Sequence, residues 1–264
     1  MHIMELWAYA FDSTCIFPFE RCLFRYEGRE FVLYSGNDEQ CEVIQTIINH
    51  PNERDKVFQI IQKFLFCYGW DNHCYFHFTA DAGMGLPKPI DLLEREPIRV
   101  KRKYRNLLVN FEYIISPATR ELEVALSLYN DAKYTPDQFY AFICYWKILE
   151  IPYSGRTLKP VDWINDVIKK GCNIYITDYI RDLISKNRDI GKFFKEKCRN
   201  AIAHIERRPT VVSFNADDYR QIASACSGIE PFTTYFIRNE LGTPKYSDRI
   251  EVIKKIDKTT SPNT

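Results

Sequence analysis

Arg199 and His204 are the residues of this chain whose types and spacing best suit them to chemistry. They lie in the run Cys198-Arg199-Asn200-Ala201-Ile202-Ala203-His204-Ile205. A guanidinium grips a phosphate through two parallel hydrogen bonds. An imidazole, with an ordinary pKa of ~6.5, takes and gives protons near neutrality. The two together are the minimum needed to drive a ribose 2′-hydroxyl onto the adjacent phosphorus without a metal. The imidazole moves the proton, and the guanidinium stabilises charge on the phosphoryl oxygens. Asn200 adds an amide that can orient His204 or hold the phosphate. The expected products are a 2′,3′-cyclic phosphate and a 5′-hydroxyl, and DNA, lacking the attacking hydroxyl, should survive. Acid–base cleavage benefits from two imidazoles and one copy offers one here, so a symmetric homodimer is expected to supply the second.

The spacing predicts a helix over 191–205. At ~100° per residue, Phe194, Cys198, Ala201, Ile202 and Ile205 share an apolar stripe that should face a core. Asn200 and His204, four apart, stack one above the other away from that stripe. Arg199 is ~140° around from His204, so its long side chain must bring the two groups together. Residues 192–208 carry Lys192, Lys195, Lys197, Arg199, Arg207 and Arg208 against Glu196 and Glu206. Lys195, Lys197, Arg207 and Arg208 are therefore the candidate RNA contacts. A second basic cluster, Arg99, Lys101, Arg102, Lys103 and Arg105, reads more readily as a solvated face.

The elements that would position this helix fall into two parts, giving an α+β fold class. Residues 1–116 read as a β-rich α+β domain of unassigned role. Met4 to Phe11 is a strand. Cys22 to Tyr26 and Phe31 to Tyr34 form a hairpin around Glu27-Gly28-Arg29-Glu30. Glu39 to His50 is expected to hold a short helix and Asp55 to Phe66 a second. Cys74 to Phe78 is a strand, residues 82–97 a loop rich in Gly and Pro, and Leu107 to Ile115 a last strand. From Pro117 the period is helical. Residues 117–241 read as an all-α bundle, with helices over Ala118 to Lys133, Pro136 to Glu150 (Thr135 as N-cap), Pro160 to Gly171, Tyr179 to Lys186, the motif helix, and Asn215 towards Asn239. Pro209 to Phe214 is expected to be extended. Residues 242–264, rich in Lys, Asp, Thr and Pro, read as a solvated tail.

Lys and Arg total 36 against 35 Asp and Glu, so the chain is no general basic coat and any RNA site must be local. No run approaches the ~18–20 apolar residues of a membrane span, and the start lacks a signal-peptide pattern. Nine scattered cysteines fit reduced thiols and a cytoplasmic setting better than a disulfide framework. No cofactor and no metal are expected. His73, Cys74, His77 and Cys67 lack the paired spacing of a zinc site. Gly83-Met84-Gly85 is too short for a phosphate loop. Glu150 is read either as a buried acid approaching the motif helix or as an ordinary helix-end glutamate. Cys198, beside Arg199 but on the apolar stripe, reads as an inert core thiol.

The pattern Arg199-Asn200-(Ala201-Ile202-Ala203)-His204, preceded by Leu126-Ser127-Leu128-Tyr129-Asn130-Asp131-Ala132 and the helix ending in Leu149-Glu150, resembles the HEPN superfamily over roughly residues 117–240. Within it the nearest likeness is to the MauJ-like family that takes its name from methylamine utilisation. The resemblance implies a metal-independent endoribonuclease with a composite site at the interface of a homodimer paired through the motif helix. Arg199 and His204 would be its catalytic pair and Asn200 its supporting residue, with antiviral defence or toxin activity as the expected setting. The competing expectation is a non-catalytic module for dimerisation or for binding RNA or a regulatory protein partner, with the first domain sensing a ligand. A small-molecule enzyme in the first domain is the weakest reading, because no nucleophile–base set occurs there.

Overall fold

The computed structural model describes residues 4–37, 40–86, 107–108, 111–153, 155, 157–203, 215–244 and 248–257. The chain divides into two compact units, one of Met1–Ser116 with Pro244–Thr264 and one of Pro117–Thr243. Together they make an α+β protein, with an antiparallel sheet in the first unit and helices in the second.

In the first unit the strands are β1 (Met4–Ser13), β2 (Cys15–Ile16), β3 (Phe19–Tyr26), β4 (Arg29–Tyr34), β5 (Glu42–Ile48), β6 (Phe76–Leu86), β7 (Leu107–Leu108), β8 (Tyr113–Ile114), β9 (Asp248–Arg249) and β10 (Glu251–Asp257), with helix α1 (Arg54–Asn72) between β5 and β6. Six of the strands form one sheet in the order β10-β3-β4-β5-β1-β6. Alternation along β1 sends Tyr9 and Phe11 to the α1 side, where Tyr9 stacks on Phe58 and Phe24 meets Phe64. Leu6, Ala8 and Ala10 cluster with Val32, Tyr34 and Val43 on the other face.

The β3–β4 hairpin turns on Glu27 and Gly28, with φ 47° and 74°, the paired left-handed residues of a type I′ turn. A Cβ at Gly28 would meet nothing within 4 Å, so a substitution there is opposed by backbone conformation alone. Gly28→Ala is expected to cost ~1–2 kcal/mol, read as a lowered denaturation midpoint.

Four expectations for this unit are corrected. Residues 42–48 form a strand rather than a helix: Val43, Ile44, Thr46, Ile47 and Ile48 are β-branched, and β5 is buried almost throughout between β4 and β1. An apolar run of this length carries no period that separates the two states. The glycines at 83 and 85 lie in β6, which pairs with β1 as far as Met4↔Leu86. The stretch 107–115 is not one strand; two-residue β7 and β8 flank a turn at Phe111-Glu112. The supposed tail supplies β9 and β10. β10 pairs with β3, and Arg25 bonds both Glu251 (2.6 Å) and Glu30 (2.7 Å) across three strands. Its exposed, lysine-bearing pattern is that of a sheet edge, which sequence alone reads as solvated chain.

The second unit contains α2 (Arg120–Tyr134), α3 (Gln138–Glu150), α4 (Pro160–Lys169), α5 (Asp178–Ser185), α6 (Ile190–Phe193), a π-helical segment (Phe194–Arg199), α7 (Asn200–Ala203) and α8 (Ala216–Tyr235), which runs on into a π turn (Phe236–Glu240). Helix α3 packs against α2 and α8 and is apolar nearly all round, as a central helix must be. Its N-cap is Asp137, whose Oδ1 accepts from the N–H groups of Phe139 and Tyr140, rather than Thr135, which ends α2. Among the described residues no helix is long and apolar enough to cross a membrane.

Candidate functional site

The motif helix begins at a crowded joint. Asp189 Oδ1 accepts the Lys192 N–H at 2.7 Å as N-cap and also the Asn165 side-chain amide of α4 at 2.8 Å. Asn165 Oδ1 in turn accepts the Gly191 N–H at 3.1 Å. A Cβ at Gly191 would stand 2.2 Å from the Val161 carbonyl oxygen, so only glycine lets the two helices approach this closely.

From there Phe194, Cys198 and Ala201 turn inward and are buried. The Phe194 ring meets Phe142 of α3 and Phe232 of α8. Phe194→Ala should therefore cost ~3–5 kcal/mol of stability, measured by chemical denaturation. Burial pushes the Cys198 thiol well above its ordinary range, with the neighbouring Cys226 a smaller cause. The guanidinium of the next residue does not activate it, and Cys198 is a core thiol.

The helix does not keep the α-helical period. Residues 194–199 are π-helical, with the Asn200 N–H donating to the Lys195 carbonyl five residues back. The Gln221 side chain of α8 donates to the Lys197 carbonyl at 3.2 Å. A π turn holds more residues per revolution, so the ~100° step overstates the rotation between Lys195 and Asn200. Ile202, expected on the buried stripe, is only partly buried. π segments occur frequently at functional sites.

Arg199 lies at the end of the π segment and Asn200 at the start of α7. Arg199 Nη1 donates to Asn200 Oδ1 at 3.2 Å. Its Nη2 stands 3.9 Å from Glu150 Oε1 at the C-terminus of α3, an oxygen that also accepts the Trp146 indole N–H at 2.7 Å. Trp146 is buried and so fixes that carboxylate. Glu150 is thus not the buried acid of one sequence reading; its side chain is 43% exposed and that of Arg199 31%. An ion pair this open contributes ~0–1 kcal/mol, so an incoming phosphate can displace it. Asn200 spends its carbonyl on Arg199, which leaves its two amide N–H donors for another acceptor. The cluster is a guanidinium with a pre-set direction, an adjacent amide and a carboxylate that screens the charge.

Lys195 and Lys197 are exposed on the same segment. His204, Arg207 and Arg208, like the basic cluster from Arg99 to Arg105 and the extended stretch expected at Pro209 to Phe214, lie outside the described residues. The zinc candidates separate: His73 ends α1 in the left-handed conformation (φ 54°) and is exposed, while Cys74 is buried. Among the described residues no group of three or more His, Cys, Asp or Glu is arranged to hold a metal ion. Sequence reading undervalued Trp146, whose i, i+4 spacing to Glu150 was the available signal.

No curated protein and no solved structure matches the chain. Residues 125–237, from within α2 to the π turn after α8 and including Arg199, Asn200 and His204, are similar to the family described as "Methylamine utilization protein MauJ".

Proposed function

We propose that the second unit is a metal-independent endoribonuclease of the HEPN type, acting on RNA in the cytoplasm from a cleft formed by two copies of the motif helix. The observation that carries the reading is the Arg199 cluster: a partly exposed guanidinium held by Asn200 and lying beside Glu150, with Lys195 and Lys197 exposed on the same helix. A scissile phosphate would exchange the weak Glu150 contact for two charge-assisted hydrogen bonds from Arg199. The Asn200 amide would donate to a phosphoryl oxygen. His204 of each protomer would supply one of the two proton transfers, removing the proton of the 2′-hydroxyl or returning one to the departing 5′-oxygen. Lys195, Lys197, Arg207 and Arg208 would bind flanking phosphates. Antiviral defence or toxin activity, and control by a protein partner, belong to the same proposal.

The carboxylate beside Arg199 also supports a second reading, a non-catalytic module that uses this surface to bind RNA or a protein, because a screened guanidinium binds more weakly and stabilises less charge. Sedimentation and cleavage together discriminate. The nuclease reading expects a dimer that cuts single-stranded RNA in EDTA. A strictly monomeric protein that leaves RNA intact contradicts it.

A further inference from the structure

Helix α3 is buried on every side but one. Its exposed or half-exposed residues after the first turn begins are Tyr140, Ile143, Lys147 and Glu150, spaced three, four and three apart, and so lying in a single line along the helix. The line is ~15 Å long at 1.5 Å per residue. It ends at Glu150, and through Glu150 at Arg199. At the far end Tyr140 is 48% exposed. An aromatic ring, an aliphatic side chain, a cation and, beside the Glu150 carboxylate, the candidate phosphate-binding guanidinium thus follow one another along this line.

We infer that this strip is the track along which a single-stranded RNA enters the site, with a base stacked on Tyr140 and a backbone phosphate on Lys147 before the strand reaches Arg199. The inference rests on the reading of Arg199 as an RNA-phosphate ligand and adds the residues that guide the strand to it. Stacking on an exposed ring needs an unpaired, splayed base, which a duplex does not offer. A polyanion suits the strip better than a protein does. The strip is one side chain wide, Lys147 follows Ile143 in its middle, and with the exposed Lys195 and Lys197 of the adjoining segment the three lysines outnumber the exposed carboxylates Glu150 and Glu196. A stable protein interface needs ~800 Å² per partner around a largely uncharged centre.

The test is equilibrium binding of a fluorescein-labelled single-stranded RNA, 2′-O-methylated throughout so that it cannot be cut, to the full chain. Tyr140→Ala should weaken binding about tenfold, whereas Tyr140→Phe, which keeps the ring and loses the hydroxyl, should bind nearly as the parent does. Lys147→Gln should weaken binding and make the slope of log K against log salt shallower by ~0.7, one phosphate contact on a single strand. Unchanged affinity and slope in these variants overturn the track while leaving the nuclease reading intact. A parent protein that binds the methylated strand with these dependences, yet leaves unmodified RNA whole, supports the track and defeats the nuclease. Conversion of a dimer to a monomer by Tyr140→Ala, seen by sedimentation, overturns the track in favour of a seam between protomers.

Discussion

His204→Ala is expected to lower cleavage of single-stranded RNA in EDTA by about 10²–10⁴-fold, the usual contribution of a positioned acid–base group. The effect is large because, among the described residues of the cluster, none is placed to do this work at neutral pH. The Arg199 guanidinium is a hydrogen-bond donor only, the Asn200 amide is neither acid nor base at this pH, and the Glu150 oxygen that faces Arg199 already accepts the Trp146 indole N–H. In a composite site the substitution removes both imidazoles at once. The fold should not change: the buried anchors of the motif helix are Phe194, Cys198 and Ala201, so the denaturation midpoint of the variant should match the parent's. A parallel fall in midpoint and activity would instead mark His204 as structural.

Arg199→Lys should cost about 10²–10³-fold in turnover even though charge is conserved. A lysine ammonium is a point charge and cannot present two parallel N–H donors to a phosphoryl group. It would also lose the geometry that places one guanidinium edge on Asn200 at 3.2 Å. The loss should appear in kcat more than in KM, because the second hydrogen bond matters most as charge develops on the phosphoryl oxygens. A lysine variant as active as the parent would reduce Arg199 to a general electrostatic contact.

Sequence was a good guide where one physical signal dominated. The β3–β4 hairpin was readable because Gly28 satisfies a turn that demands a left-handed residue. α2, α4 and α5 were readable from their periodicity. The misreadings arose where the deciding interaction was distant in sequence. β5 is a strand because β1 and β4 cover its edges, and its own residues do not state that. β10 is ordered by β3, more than two hundred residues earlier, through contacts such as Arg25 with Glu251, a sequence separation of 226.

The candidate site divides in the same way. Arg199 and Asn200 stood out by type and spacing. The π segment that sets their direction did not, because its support includes the Gln221 side chain reaching the Lys197 carbonyl from another helix. Glu150 was noticed, but its role depended on two facts of packing. The buried Trp146 holds its carboxylate, and α3 ends beside the motif helix rather than pointing into a core.

The most direct test is to identify the ends that the protein leaves on RNA. A single-stranded RNA is incubated with the chain in EDTA alongside the same strand carrying one 2′-deoxynucleotide at the cut position. Attack by the 2′-hydroxyl through Arg199 and His204 requires 2′,3′-cyclic phosphate and 5′-hydroxyl ends, with the deoxy-substituted strand uncut at that position. Ends bearing a 3′-hydroxyl and a 5′-phosphate, or equal cutting of both strands, would contradict it.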